Sequence, residues 1–403
     1  MKYAIDDTRQ RTHCTELSKT GKGFLSTRAI GTGVLGWIGL SFLFLVFSVF
    51  LFSCEGRAES PIASAGTIAI YGDMDGGGPS FILHRWEKDA WGFLEWPERK
   101  VYCLIEATAI GKDVYKGRVL AGIPPSAPRL ATRGSALSLR LAGRGSVLDL
   151  EFAGEAVASL SMERTESAGR TLPGLWGYRA GPGERYSAAL MVDPGRAAGG
   201  IWDRWLRRGA SPREYASRLF SQAEARGRGE RLGERQTLVS LEKGYVSILG
   251  TRMRELGSAH ERSTVAMTAS AQGEEAGSGA LKPLRAEDVF VEGWEKAVAP
   301  LLREEALRIF GLVPDETAER ADAEGGTGSS AGAASPSLRE LGFFDEELRP
   351  SSAFFACRSG AGFHYNTYEL GPAALGEILL VLPWNRLAPF LRDPCPSAGA
   401  EAR

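Results

Sequence analysis

The sequence predicts an α+β protein in three parts: an N-terminal membrane anchor, a small antiparallel β-rich domain, and an α+β domain with an antiparallel sheet and packed helices. Three observations predict it. These are a long uncharged apolar run near the N-terminus, a series of strand-like runs, and a later mixture of strand runs with two amphipathic helices. The chain has 403 residues, of which 43% are hydrophobic and 24% charged, enough for two or three domains.

Composition excludes some classes of function. The formal net charge is -1, which excludes a nucleic-acid binder that relies on overall basicity, so we expect no nucleic-acid partner. Four histidines and five cysteines leave little material for metal sites, and we expect no metal and no cofactor. Cys103, Cys357 and Cys395 share no CxxC spacing, and one bridge, such as Cys357–Cys395, is compatible with an oxidising compartment.

The anchor is predicted from residues 29–54, which contain no charged residue and include a nearly continuous apolar run at 34–52. About 20 apolar residues are needed to span a bilayer as a helix, so this run is long enough. The leader, residues 1–28, has six basic and three acidic residues, an excess that keeps this end in the cytoplasm. The bulk of the chain is therefore expected outside the cytoplasm, at the periplasmic or cell surface.

The end of the apolar run leaves two kinds of anchor open. Leu51-Phe52-Ser53-Cys54 resembles the lipobox of bacterial lipoproteins, in which the leader is cut before the cysteine and lipid is attached to its thiol. Phe52 fits only relaxed versions of that pattern, and the leader is long for a signal peptide. The alternative is an uncleaved signal anchor with Cys54 unmodified. Either form tethers the chain to the membrane.

The β-rich domain is predicted at residues 66–165, followed by a connection at 166–210. Its strand-like runs are 67–71, 80–83, 100–105, 115–120, 136–141, 147–152 and 157–164. Residues 135–141 and 146–152 partly alternate apolar and polar residues with a period of two, which is typical of strands with one buried face. A turn cluster rich in glycine separates the first two runs.

The α+β domain is predicted at residues 211–394. Ser211, Pro212 and Glu214 match an N-cap, a proline at N1 and a capping box, so a helix should begin here. A second helix is predicted at 288–310. Further strands are predicted within 237–256, at 263–269, 353–357, 362–371 and 378–382, with a short helix at 383–391. Residues 315–337 lack apolar residues in runs, and we expect a disordered insertion.

Residues 235–392 resemble the extracytoplasmic domain of RsiV-type anti-sigma factors. The passages that carry the resemblance are Gly257-Ser-Ala-His260, Leu284-Arg-Ala-Glu-Asp-Val-Phe290 with Trp294, and Phe363-His-Tyr365 through Tyr368-Glu-Leu370, Gly376, Pro383-Trp384 and Leu387–Leu391. The resemblance implies a curved antiparallel sheet with helices packed on it. The leader shows no evident helix for holding a sigma factor, so neither that role nor the family's lysozyme binding is expected to transfer.

Candidate site residues are few. His260 and His364 could act as metal ligands or a general base, or they could simply bond the backbone of a turn and a strand edge. Tyr365, Tyr368 and Glu369, together with His260, form the candidate binding surface, with packing inside the closing hairpin as the alternative.

Two further groups of residues have weaker functional interpretations. Trp86, Trp91 and Trp96 could stack on sugar rings, but such spacing is more typical of core residues. Asp73 and Asp75 could hold Ca²⁺, although the remaining ligands of a calcium loop are missing.

These observations favour a membrane-tethered extracytoplasmic binding protein without catalytic activity, a sensor of an unknown envelope protein or glycan. The alternative is an accessory of a cell-wall polysaccharide hydrolase or deacetylase, because domains related to the RsiV type occur beside such enzymes.

Intact-mass spectrometry of the membrane fraction distinguishes the two anchors. The lipoprotein form predicts loss of residues 1–53 and a diacylglycerol mass on Cys54. A chain in which unmodified Cys54 is still joined to Ser53 would contradict it. Recovery of the protein free in the cytosol would contradict both forms.

Overall fold

The computed structural model describes residues 61–74, 77–122, 136–153, 158–165, 172–193, 201–226, 229–242, 245–256, 259–270, 281–310 and 337–392. All of them belong to one compact unit, Ala58–Arg403. Among these residues no helix is long and apolar enough to cross a membrane. The predicted anchor at 29–54 with Cys54, and the predicted insertion at 315–337 apart from Ser337, lie outside the described residues.

The first eight strands form a meander that closes on itself. They are β1 (Ile62–Gly72), β2 (Ser80–Trp86), β3 (Asp89–Trp96), β4 (Val101–Gly111), β5 (Val114–Gly122), β6 (Ala136–Ala142), β7 (Val147–Phe152) and β8 (Ala158–Glu163). Each strand is antiparallel to the next. A bridge between Tyr71 and Arg164 joins the end of β8 to β1, and Thr165 N donates to Ile70 O at 2.9 Å. This end of the meander is therefore a barrel with its seam at β1 and β8.

The interior of this barrel is an apolar core. Leu137, Leu139 and Leu141 of β6 are buried in it, and so are Leu148 and Leu150 of β7. The alternation read from the sequence thus places every second side chain inside, as the pleat of a strand requires. A row of such residues from each strand fills the barrel.

The sheet continues beyond β1 as β9 (Gly174–Ala180), β10 (Tyr186–Val192), β11 (Glu230–Leu241), β12 (Tyr245–Leu256), β13 (Ala259–Ser270) and β14 (Lys282–Leu284). The first half of β1 pairs with β9, while its second half pairs with β2. Among the strand pairs of the described residues, β10 and β11 alone are parallel. Helices α1 (Ile201–Arg207) and α2 (Pro212–Arg226) lie between them in the chain. A parallel pair needs such a crossover connection. The result is one 14-stranded, mainly antiparallel sheet.

The predicted connection at residues 166–210 is not irregular, because it contains β9, β10 and α1. Glycine-rich sequence concealed β9. At Gly177 the ring of Trp86 occupies the space of a side chain, since a Cβ there would lie 1.6 Å from the ring. This glycine marks close packing rather than a loop.

A smaller three-stranded antiparallel sheet packs on the large one. It consists of β15 (Ala353–Cys357), β16 (Gly360–Tyr365) and β17 (Ile378–Pro383), followed by the short helix α5 (Trp384–Leu387). Phe355 on one face meets Phe93 of the barrel edge-on, with ring centroids 5.9 Å apart. On the other face, Phe363 stacks on Trp294 of the helix α4 (Trp294–Ile309). The small sheet is thus buried on both faces.

Several sequence predictions are confirmed here. The Ser211 cap accepts a bond from Glu214 N at 3.2 Å, and α2 begins at the predicted proline. The helix predicted at 288–310 is present as two pieces, α3 (Ala286–Val289) and α4. The first piece ends at its extended C-cap, Phe290, and Gly293, at φ 76°, is the N-cap of α4. The fold is a sheet-rich α+β structure with a large antiparallel sheet.

The Gly362→Ala substitution tests the packing of the two sheets. A Cβ at Gly362 would lie 2.1 Å from the Phe355 ring, so we expect the free energy of unfolding to fall by about 1–3 kcal/mol. Gly111→Ala is the matched control, since nothing lies within 4 Å of its added Cβ. Its effect should stay within about 0.5 kcal/mol. Denaturant titration measures both, and equal effects would contradict the described packing.

Candidate functional site

A cluster of charged side chains lies between the barrel, the large sheet and the small sheet. At its centre is Glu106 of β4. Its carboxylate accepts hydrogen bonds from Arg118 Nε of β5 at 2.7 Å and from Arg235 Nη1 of β11 at 3.3 Å. Arg262 Nη1 of β13 lies 3.5 Å away on the same oxygen as Arg235. Three guanidiniums from three strands therefore converge on one carboxylate.

The cluster extends into the small sheet. Arg262 Nε lies 3.0 Å from Glu377 Oε1, and the other oxygen of Glu377 accepts a bond from His364 Nε2 at 3.1 Å. The side chains of Glu377 and His364 are 3% and 0% exposed. The chain of contacts from Arg118 to His364 thus runs from the barrel surface into the protein interior. We call these residues, Arg118, Glu106, Arg235, Arg262, Glu377 and His364, the charged network.

The arginines determine the ionisation of Glu106. Burial alone would raise the pKa of its carboxyl group, but Arg262, Arg235 and Arg118 together outweigh burial and hold the pKa below its usual value. Glu106 is therefore a carboxylate over the neutral range. Its negative charge is needed to compensate the positive charges around it.

The two histidines singled out in the sequence are placed differently. His364 is fully buried on β16, and its backbone oxygen accepts a bond from the Ser351 hydroxyl. His260 pairs in register with Glu255 at the start of β13, and its side chain is outside the described part of the structure. Within the described ranges, no group of three or more His, Cys, Asp or Glu side chains is placed to hold a metal ion.

Residues 366–370, which we call the recognition turn, attach the small sheet to the edge of β13. Asn366 Oδ1 accepts a bond from Thr264 N at 2.6 Å, and Asn366 Nδ2 donates to Thr264 O at 3.2 Å. The Asn366 amide thereby replaces a neighbouring strand, because β14 pairs with β13 only from Thr268 onward. Glu369 closes the turn by accepting a bond from Asn366 N at 2.8 Å. The turn is held from both sides.

Tyr368 protrudes from this turn. Its backbone is left-handed, with φ 71°, and its side chain is 67% exposed. Phe344, which is 55% exposed, lies on the neighbouring segment, where its amide donates to Leu370 O at 2.8 Å. Two large rings therefore face solvent on adjacent segments of this surface.

Tyr365 lies in the core rather than on the surface suggested by the sequence. Its side chain is 1% exposed, and its hydroxyl donates to Arg349 O at 2.9 Å. Burial raises the pKa of this hydroxyl. Of the four predicted surface residues, Tyr368 is exposed and Glu369 serves to fix the turn.

The tryptophans proposed for sugar stacking are mainly structural. Trp86 and Trp91 are buried, and their indole nitrogens donate to Ser64 Oγ and Gln236 O. Trp96 is partly exposed and is covered by the Arg99 guanidinium, 4.3 Å from the ring centroid.

Other predicted residues are placed as follows. Cys103 and Cys357 are buried free thiols, while Asp75 and Cys395 lie outside the described residues. Asp73 closes the turn after β1 by donating its amide to Pro79 O at 3.0 Å.

The part of the chain that carries the small sheet and α4 also matches a known sequence family. Residues 287–385 match DUF3298, described as a protein of unknown function. The DUF3298 match runs from α3 to α5 and lies inside the wider region, 235–392, of the resemblance seen in the sequence. His364, Glu377 and the recognition turn fall within DUF3298, whereas Glu106, Arg235 and Arg262 precede it.

Two solved structures of DUF3298 proteins are similar to this chain. A family member from Bacteroides fragilis is 15% identical, with a TM-score of 0.34, over 54% of this chain and 88% of its own. A family protein from Pseudomonas aeruginosa is 15% identical, with a TM-score of 0.35, over 57% of this chain and 97% of its own. No curated protein matches the sequence.

Sequence reasoning missed Glu106, Arg262 and Glu377. Each is an ordinary charged residue in its local sequence, and Glu106 and Glu377 are separated by most of the described chain. No motif spacing links them, because strands from distant parts of the sequence bring them together. The one available signal was a charged residue inside an otherwise apolar strand run, as at Glu106 in β4.

Glu106→Gln should destabilise the protein because it removes the carboxylate shared by three guanidiniums and leaves Arg262 with Glu377 alone. We expect the free energy of unfolding to fall by about 2–4 kcal/mol at pH 7. Since the folded pKa of Glu106 is below its ordinary value of 4.5, the wild-type advantage should be complete above that pH and shrink as the pH falls through the folded pKa. Denaturant titration at several pH values measures it.

Glu261→Gln is the control for this prediction. The Glu261 side chain is 67% exposed, and its carboxylate lies 3.3 Å from Arg254. We expect the free energy of unfolding of this variant to fall by less than about 1 kcal/mol. Equal losses in the two variants, or a Glu106 effect that grows as the pH is lowered, would contradict the role assigned to Glu106.

Proposed function

We propose that this chain is a non-catalytic binding protein of the cell envelope. In this proposal residues 29–54 hold it to a membrane, either as a helix or through lipid on Cys54. The compact unit then lies outside the cytoplasm and recognises an envelope protein or glycan with the recognition turn. The proposal retains the RsiV-type resemblance as a likeness of an extracytoplasmic receptor domain, without its sigma factor.

The conformation and exposure of Tyr368 carry the proposal. A non-glycine residue in the left-handed region costs about 1–3 kcal/mol, and such strain persists only where the surroundings enforce it. Here the bonds of Asn366 and Glu369 enforce it, yet the ring gains no burial from it. A partner that packs against the displayed ring would offset part of this strain, which supports a binding role.

The chemistry of the exposed rings fits recognition. Tyrosine offers an apolar face and a hydroxyl, so it can pack against a protein or stack on the apolar face of a sugar. Phe344 extends this aromatic surface along the adjacent segment. The carboxylate of Glu369 is engaged with Asn366 N and the Ser351 hydroxyl, so it fixes the turn. A preorganised turn lowers the entropic cost of binding.

The DUF3298 part of the chain supports binding more than hydrolysis. His364 and Glu377 are the buried titratable pair of this region, and each is committed to the charged network. A general base must reach the proton that it removes, and these groups lie below the surface. No observation in the described residues favours the alternative of a hydrolase or deacetylase accessory.

Tyr368→Gly separates a binding role from a structural one. Glycine relieves the left-handed strain, which raises the free energy of unfolding, and its extra chain entropy in the unfolded state lowers it by less. We therefore expect a net rise of about 0.5–1 kcal/mol. Binding should nevertheless be lost. The assay is cosedimentation of the full-length chain, in detergent, with purified peptidoglycan sacculi. A protein partner is tested separately, by placing a photoreactive residue at position 368 and cross-linking in intact cells.

Ile110 provides the control, because it is 59% exposed and lies in the barrel at the end of β4. Ile110→Gly should leave sedimentation unchanged, and a photoreactive residue at 110 should give no specific product. The proposal is wrong if position 368 cross-links to nothing and Tyr368→Gly sediments like the wild type.

A further inference from the structure

A cleft of about 490 Å³ lies beside α1 and α2 and shares no lining residue with the charged network. Its lining includes the turn between the two helices, one face of α2, and Arg252 of β12. The volume is in the range of small-molecule sites. The cleft shares no lining residue with the recognition turn.

The lining is strongly cationic. Arg207, Arg208, Arg218 and Arg252 line the cleft, against Glu214 as the acidic residue of the lining. Arg252 is paired with Glu234, but the arginines still outnumber the carboxylates here, and a concave surface concentrates the field of the excess charge. This excess contrasts with the net charge of -1 for the whole chain.

Two of these arginines are not committed to the fold. Arg208 and Arg218 are exposed, and neither makes a hydrogen bond or ion pair with another described residue. Arg207, in contrast, is buried at the end of α1 and donates through Nη1 to Met191 O at 2.7 Å. The outer part of the cleft therefore presents cationic groups that the described fold does not use.

Arg252 is held in place by Glu234. Its Nε and Nη2 donate to Glu234 Oε2 at 3.2 and 2.9 Å, and the Tyr215 hydroxyl donates to Glu234 Oε1 at 2.8 Å. Both bonds use one edge of the guanidinium. The Arg252 side chain is nevertheless 44% exposed, so the guanidinium is oriented by Glu234 and still open to a ligand.

The geometry of this cleft points to a binding site for a small oxyanion, and we propose that it takes a ligand with a phosphate or carboxylate group. Arg208, Arg218 and Arg252 would bind the oxyanion, and Tyr215 would position Arg252 through Glu234. A planar fork of donors suits the oxygens of either group. Glu214 opposes the ligand's charge and limits affinity.

Calorimetric titration of the full-length chain in detergent tests the site. The probes are inorganic phosphate and citrate in separate titrations, with glucose as the neutral control. We expect saturable binding of phosphate, citrate or both, which tells the two oxyanion groups apart, and affinity that falls as sodium chloride is raised. The absence of saturable binding of either anion would overturn the proposal.

Matched variants on α2 locate the binding. Arg218→Gln should weaken it about 3- to 10-fold, the loss expected for one charge-assisted contact. Glu214→Gln should tighten binding, because it removes the opposing charge. Arg213→Gln, an exposed arginine of the same helix that does not line the cleft, should leave affinity unchanged. Equal weakening by Arg213→Gln and Arg218→Gln, or no effect of Arg218→Gln and Glu214→Gln, would overturn the site.

Tyr368→Gly keeps this inference separate from the proposed function. The variant should bind the anion as the wild type does, since Tyr368 does not line the cleft. Loss of anion binding in Tyr368→Gly would place the anion at the recognition turn and overturn the cleft. The melting temperature of each variant without probe verifies that it is folded.

Discussion

The position of Glu106 constrains much of this structure. A carboxylate that is removed from water must be compensated, and here the compensation comes from β5, β11 and β13 at once. A shift of any of these strands by one residue would turn its arginine to the opposite face of the sheet. The same ion pairs therefore fix the register of the barrel relative to the rest of the large sheet. Through Arg262 and Glu377 they also fix where the small sheet sits.

Local signals were sufficient for most elements and insufficient for their assembly. The Ser211 cap and the leucine alternation of β6 and β7 are encoded by neighbours in sequence, and they were readable. The barrel seam joins Tyr71 to Arg164, and the local sequence around either residue does not predict that contact. β9 was hidden for a related reason: its Gly177 is explained by the Trp86 ring of a distant strand.

The candidate site shows the same division between local and distant information. Phe363 and Tyr365 are two residues apart on one strand, so their side chains share a face, and this unused signal in the sequence agrees with the burial of Tyr365. Tyr368 lies after the end of the strand, so the alternation of strand side chains does not determine where its side chain points. Its left-handed backbone, in contrast, depends on bonds to Thr264 and the Glu369 side chain. The charged network needed the complete fold, since its members come from six separate positions along the chain.

The arginines of this protein divide into two groups by what compensates them. Arg262 is mostly buried and lies against two carboxylates, as the high cost of an unpaired buried charge requires. Arg208 and Arg218 stay near solvent, where no partner is needed for folding. The positive charges of these two arginines repel each other in the cleft, and no contact among the described residues compensates that repulsion. Tyr368 presents a comparable case, because its left-handed backbone opposes folding and its exposed ring gains little burial in return. Features that oppose stability at defined positions are the ones that a ligand can compensate, so these two surfaces are where binding is best sought.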